Sequence, residues 1–150
     1  MVRNNKLIIM FDKSQRGTFK YWFAHWCAFQ MTALNLGVWR PKYLLHDIEK
    51  PFLKIFFKYK TIQRLHRKLH AHHLEYWRGL AHIDIDAMLI DWECSRFTKT
   101  ASQLNANDTL EKEKYNTYAR GDMHLYCFLR DVVSERLKKL KSKACTAPTA

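Results

Sequence analysis

The sequence predicts an all-α protein, a bundle of five to six helices forming one domain. Three observations lead there. Gly and Pro number only four and three in 150 residues, so sharp loops are few and helices long. Helix-starting and helix-ending residues flank segments whose apolar positions recur at helical spacing, and no strand is evident beyond the N-terminal arm. A hydrophobic content of 47%, with 14% aromatic, suffices for a packed core at this length and argues against disorder.

Residues 1–17 read as an N-terminal arm, extended or a short strand, ending at Gly17. Its apolar run Lys6-Leu-Ile-Ile-Met-Phe11 is far too short to span a bilayer, as is every other. Thr18 suits an N-cap, and the helix it opens runs to Leu36, where Gly37 supplies a stop. That helix is apolar on most faces, which predicts a central position. His25 lies in its middle, where a lone histidine is ordinarily a satisfied core residue.

Pro41 suits the first turn of a second helix carrying Tyr43, Leu44, Leu45, His46 and Asp47, and Pro51 limits it or opens the next. Residues 51–60 place aromatic and aliphatic side chains between lysines, which predicts a core-facing amphipathic helix. Then come four histidines, His66, His70, His72 and His73. If they are helical, His66, His70 and His73 share one face and His72 points elsewhere.

Asp84 is placed to cap a helix over 85–99 with an apolar stripe of Ile85, Met88, Leu89, Trp92 and Phe97. Asp91 lies beside that stripe and needs a cation or donors. Asp84 and Asp86 are more simply explained by capping and the helix dipole. Residues 100–108 read as a loop. Asp108-Thr-Leu-Glu111 is a capping-box pattern opening a helix to Arg120, stopped at Gly121. Asp122 suits the cap of a last helix to Lys141, with Leu125, Leu129, Val132, Val133, Leu137 and Leu140 inward. The helical domain is then 18–141, and 142–150 reads as a disordered tail.

The formal charge of +12 favours anionic partners: a nucleotide, a phosphorylated metabolite, or nucleic acid. Much of it sits in Lys54–Arg67 and Arg136–Lys143, for which solvated helix faces are the plain reading. Cys27, Cys94, Cys127 and Cys145 form no CxxC pair, so a zinc knuckle is not expected. Without an evident secretory signal they read as reduced thiols, and a cytoplasmic location with no membrane partner is expected. Oligomeric state is open, a homodimer included.

The chemistry gathers around Lys42-Tyr-Leu-Leu-His-Asp-Ile-Glu-Lys50. An adjacent imidazole and carboxylate pressed against Leu44 and Leu45 need partners or a metal if buried. The histidine cluster and Asp91 can supply co-ligands. Imidazoles and carboxylates from different helices of a bundle suit one or two divalent transition ions, Mn, Fe, Co, Ni or Zn. No Gly-rich phosphate loop, HExxH or nucleophile elbow competes.

The order His25, then His46-Asp47, then Asp91 resembles the H…HD…D pattern of the HD-domain superfamily of metal-dependent phosphohydrolases. His46-Asp-Ile-Glu-Lys50 is similar to its common His-Asp-Ile-Gly-Lys form, with Glu49 replacing the small residue. More closely, HDIEKPF, HHLEYW and LIDWE resemble an uncharacterised bacterial and phage family of HD-like proteins, a domain of unknown function, over residues 20–135. The resemblance implies an HD-domain-like helical bundle, with His25, His46, Asp47 and Asp91 as ligands of one metal. Dinuclear members hold a second ion with histidines in the interval of His66, His72 and His73. Helical register favours His66 and His73, whereas the family pairs His72 with His73.

The function so implied is hydrolysis of a phosphomonoester or phosphodiester, in a nucleotide or other small phosphate ester. Asp47 binds metal and orients water, and a cluster histidine such as His73 protonates the leaving oxygen. Lys50 matches a superfamily lysine near the substrate phosphate, though a surface lysine at a helix end explains it as well. Arg64, Arg67 and Lys68 are further candidates to neutralise phosphate. Two alternatives stand: a di-iron oxygenase of HD fold, and a non-catalytic nucleic-acid-binding module with a structural metal. In the last, aromatics between Lys54 and Lys60 meet the bases.

Overall fold

The computed structural model describes residues 17–73, 83–98, 105–119 and 123–146, without the side chains of 114–119, 123–126 and 143–146. The expected arm before Gly17, the segment from 99 to 104, Gly121, the cap Asp122 and the Leu125 side chain lie outside them. All regular structure among the described residues is helical, as predicted. Six α-helices follow in order: α1 Phe19–Asn35, α2 Glu49–Leu53, α3 Tyr59–Leu69, α4 Ile85–Cys94, α5 Ala106–Ala119 and α6 Met123–Thr146. Two short 3-10 turns, Pro41–Leu45 and Ser95–Phe97, join them. None of the described helices is long and apolar enough to cross a membrane.

The ends of α1 fall where expected. Thr18 accepts a hydrogen bond from Tyr21 N at 3.1 Å. At the other end Gly37 takes φ +66°, with Gly37 N bonded to Leu34 O and Val38 N to Ala33 O. That pair of bonds is a Schellman stop, and the left-handed residue it requires is the glycine.

Among the described residues, α4 is more enclosed than α1. Asp86 to Ile90 and Trp92 to Cys94 are all buried. Around α4 pack Phe29 and Ala33 of α1, Leu110 of α5, and Leu129, Val133, Leu137 and Leu140 of α6. The predicted inner faces of α4 and α6 are thus the core, although Val132 is only half-buried. Helix α1 is apolar on most faces for another reason: one face joins the core, and Phe19 and Phe23 stay exposed.

Two carboxylates of α4 are buried, and each is partnered. Asp86 receives Arg136 Nε at 2.7 Å and Nη2 at 2.9 Å, with Arg40 Nη2 at 3.4 Å. The Arg136 hydrogen bonds hold its carboxyl below the usual range against burial, pinning α4 to α6. Glu93 accepts from Ala106 N at 3.0 Å and pairs with Arg96, so it caps α5 from α4. Asp84 caps α4 as expected, accepting from Ala87 N at 3.1 Å.

Several elements differ from expectation. The Pro41 segment is a 3-10 turn, and residues 51–60 are not one core-facing helix. Helix α2 ends at Leu53, and Lys58 is extended before α3 begins. Ile55 and Phe56 are 75% and 77% exposed. The apolar residues from Phe52 to Tyr59 spread over more than half of a helix's circumference, so no single face could bury them. Helix α5 opens one turn before Asp108: Asn105 N bonds Asp108 Oδ2 and Asp108 N bonds Asn105 Oδ1. The reciprocal cap is therefore Asn105 with Asp108 rather than Asp108 with Glu111. Helix α6 continues to Thr146, beyond the expected end at Lys141 and into the segment read as a tail. Cys27, Cys94 and Cys127 form no disulfide among the described residues.

Candidate metal centre

One stripe of α1 shapes the site. Trp22, Trp26 and Gln30 stand four residues apart, so their polar ends line one side of the helix. Trp22 Nε1 donates to Asp47 O at 2.8 Å, Trp26 Nε1 to Leu44 O at 3.0 Å, and Gln30 Nε2 to Tyr43 O at 2.6 Å. These bonds hold the 43–47 backbone against α1. Asp47 there adopts φ +61°, a left-handed conformation that aspartate tolerates better than most residues. The result is a corner that turns both His46 and Asp47 inward, with the Asp47 side chain only 1% exposed.

Four further elements bring groups to that corner. From α1, His25 Nε2 lies 3.0 Å from Asp91 Oδ1 and 3.7 Å from Asp47 Oδ2, while its Nδ1 faces the Cys94 thiol at 3.8 Å. From α2, Lys50 Nζ reaches Asp47 Oδ2 at 2.5 Å. From α3, His66 Nε2 stands 3.1 Å from Asp47 Oδ1, and His46 Nε2 stands 3.6 Å from the same oxygen. From α4 comes Asp91, whose side chain keeps 19% exposure.

The histidine cluster is not a helical face. Helix α3 ends at Leu69 and His70 is extended (ψ 129°), so His66, His70 and His73 do not share one side of a helix. The turn after α3 instead carries His72 inward. Its ring centroid lies 4.7 Å from that of His46, 5.1 Å from His66 and 4.3 Å from His73. The expectation that His72 points elsewhere is corrected. His70 sits at the edge, with Nε2 3.5 Å from Glu49 Oε1.

Unpaired polar atoms mark the centre. Among the described residues, Asp47 Oδ1 and the Nε2 atoms of His46, His66, His72 and His73 are buried without a hydrogen-bond partner. Each such atom costs about 1–3 kcal/mol if nothing meets it. Burial pushes His46 down to about 3, His72 to about 4 and His73 to about 2, so all three are neutral with a free lone pair at neutral pH. Burial would raise Asp47 and Asp91. Nearby His46 and Lys50 nevertheless hold Asp47 well below the usual carboxylate range, as His25 holds Asp91. Neutral imidazoles beside ionised carboxylates are the donor states a divalent ion takes.

Several groups can therefore hold a metal ion. His25 with His46 and Asp47, His25 with Asp91 and Cys94, and His66 with His72 and His73 each bring their ligand atoms within 4.8 Å of one another. All seven residues predicted as ligands thus belong to such groups.

A pocket of about 280 Å³ opens onto His25, Asp47, His73 and Asp91. Its walls carry Lys50, Lys54 and Arg67 with Tyr21, Trp22 and Tyr59. Gly17 completes one wall at φ +91°; a Cβ there would meet the Tyr59 ring at 2.6 Å. Of the predicted phosphate-binding residues, Lys50 and Arg67 line this pocket. Arg64 and Lys68 line a shallower one on α3, which Arg67 also borders. Sequence reasoning did not single out Trp22, Lys54, Tyr59 or the contact of Glu49 with His66. The four-residue spacing of Trp22, Trp26 and Gln30 was the available signal for the first. Compared with protein-family models, curated proteins and solved structures, the chain shows no match.

Proposed function

We propose that the protein is a metal-dependent phosphohydrolase of HD type acting on a nucleotide or other small phosphate ester. The observation that carries this reading is the set of buried imidazole and carboxylate atoms around Asp47 without a partner among the described residues, of which those of Asp47 and His73 belong to the lining of a cationic pocket. The ligand order supports it, since His25 of α1, the adjacent His46 and Asp47, and Asp91 of α4 lie close together in the order that the resemblance implies. His25, His46, Asp47 and Asp91 would hold one ion, and His66, His72 and His73 a second, with Asp47 Oδ1 facing His66 between the two groups. A bound divalent ion supplies Lewis acidity toward water and a phosphoryl oxygen.

The chain's own residues then do the positioning. Lys50, Lys54 and Arg67 attract the phosphate and neutralise it. Tyr21, Trp22 and Tyr59 offer flat apolar surface to the organic part of the ester, the feature that favours a nucleotide. Asp47 orients water through the carboxylate that Lys50 holds in place. His73 serves as a neutral ligand rather than as proton donor, because burial keeps it unprotonated at neutral pH. A phosphate-release screen over nucleotides and small esters, with Mn, Co, Ni, Fe or Zn supplied, tests the reading. Activity in the wild type that Asp47→Ala abolishes while the helical circular-dichroism signal persists supports it, and full activity in Asp47→Ala refutes it.

The separate His66, His72 and His73 group also favours a second reading, a di-iron oxygenase, which requires two ions. Two irons per chain with substrate-dependent oxygen uptake and no phosphate release would select it.

A further inference from the structure

We infer that Glu49 is a positioning residue for the metal centre: it fixes the tautomer and the orientation of His66, so that Nε2 is presented to the ion. The inference rests on the reading that His66 binds metal. Glu49 opens α2, two residues beyond Asp47, and its Oε1 lies 2.5 Å from His66 Nδ1. The opposite ring nitrogen, Nε2, faces Asp47 Oδ1 at 3.1 Å and is buried without a hydrogen-bond partner among the described residues. A neutral imidazole carries one ring proton. With the carboxylate at Nδ1 that proton stays there, and the Nε2 lone pair points inward.

The arrangement does two things. It prevents the ring from turning over, since Nδ1 would lose a charge-assisted bond, and it makes Nε2 a stronger donor to a cation. The His66 side chain is fully enclosed, whereas the Glu49 side chain is 27% exposed. Glu49 thus stands on the outer side of the histidine and Asp47 on the inner side. A role for Glu49 as a ligand of an ion shared with His66 Nδ1 and His70 does not fit the geometry. An ion bound at about 2.1 Å keeps its ligand atoms roughly 3 Å apart or more, and Glu49 Oε1 is closer to Nδ1 than that. His70 Nε2, at 3.5 Å from the same oxygen, is a weaker neighbour.

Cobalt(II) titration of the full chain, read by calorimetry and by the visible absorption of the bound ion, tests the inference without any substrate. Wild type, Glu49→Gln and Glu49→Ala are compared. The expected result is unchanged stoichiometry, with affinity lowered about 10–100-fold in Glu49→Ala and less in Glu49→Gln, whose amide oxygen still accepts from Nδ1. Equal affinity in all three proteins overturns the inference. Loss of a bound ion from the stoichiometry also overturns it, because Glu49 would then be a ligand. Failure of the wild type to bind cobalt overturns the metal reading itself and is distinguishable from both. Should Glu49→Ala lose its helical signal, the near-isosteric Glu49→Gln decides: reduced affinity at full stoichiometry supports the role, and wild-type affinity refutes it.

Discussion

Asp47 Oδ1 lies 3.1 Å from His66 Nε2, yet both atoms are buried without a hydrogen-bond partner among the described residues. The distance suits a hydrogen bond and the alignment does not. With Glu49 at His66 Nδ1, the Nε2 of the neutral ring is an acceptor facing another acceptor, an arrangement that a cation between them relieves, whether a proton on the ring or a divalent ion. Divalent ion should therefore stabilise the fold by mass action, by about 2.7 kcal/mol at a hundredfold excess over the dissociation constant. Thermal melts with added metal and with chelator measure this, and an unchanged midpoint would contradict it.

Stability of the metal-free protein should fall on mild acidification. His46, His72 and His73 bind protons in the fold only near 3, 4 and 2, but near 6.5 once unfolded. Below about pH 6.5 the unfolded chain holds the extra protons, and each histidine contributes a slope of at most about 1.4 kcal/mol per pH unit. His66 has the opposite sign. Burial alone would lower it, but Asp47 and Glu49 raise it above its ordinary value. Its stabilisation is full below the unfolded value and is lost as pH rises through the folded one. His70, which burial also lowers, acts with these three, and together they outweigh His66, so urea midpoints of chelated protein should drop between about pH 7 and about pH 5. A rise would show that the three histidines are not buried neutral.

Trp22→Phe should loosen the corner that presents His46 and Asp47. The substitution keeps an aromatic ring and removes the donor to Asp47 O, at a cost of about 1–2 kcal/mol. Metal affinity should fall with it. Trp26→Phe, which removes a more exposed bond to Leu44 O, is the control and should change affinity less.

Arg136→Leu should destabilise the fold while leaving the metal centre's composition intact. It strips Asp86 of two hydrogen bonds and leaves only the longer Arg40 contact. Arg136 keeps about a third of its exposure, so a loss of about 2 kcal/mol is expected rather than the full cost of a buried pair. Denaturant titration reads this directly.

Phe56→Ser should be nearly neutral, within about 0.5 kcal/mol, because the ring projects from the turn between α2 and α3. Had the segment been the core-facing helix that its spacing suggests, the same change would cost several kcal/mol.

Legibility followed the range of the interactions. The Thr18 cap, the Gly37 stop and the Asp84 cap are contacts within a turn or two, and each was readable from local sequence. The stripe of α6 was readable because one face of that helix meets the core, whereas α4 is buried nearly all round and its stripe marked only part of what it buries. Residues 51–60 misled because apolar spacing alone does not show whether a neighbouring element covers it. The histidine register failed for a related reason: helical spacing assumes that the helix continues, and here it ends at Leu69. The predicted ligands do come together, although sequence order gave no distances. The pairing of Glu49 with His66 was invisible, since it depends on the turn that folds α3 back onto α2.

Elemental analysis of the purified full chain, after exchange with Mn, Fe, Co, Ni or Zn and removal of free ion, tests the metal centre most directly. The wild type should retain one or two ions per chain, and a protein carrying Asp47→Asn and His72→Ala should retain fewer while keeping its helical signal. A folded wild type that retains none of these ions, or a double variant that retains as many as the wild type, would contradict the assignment.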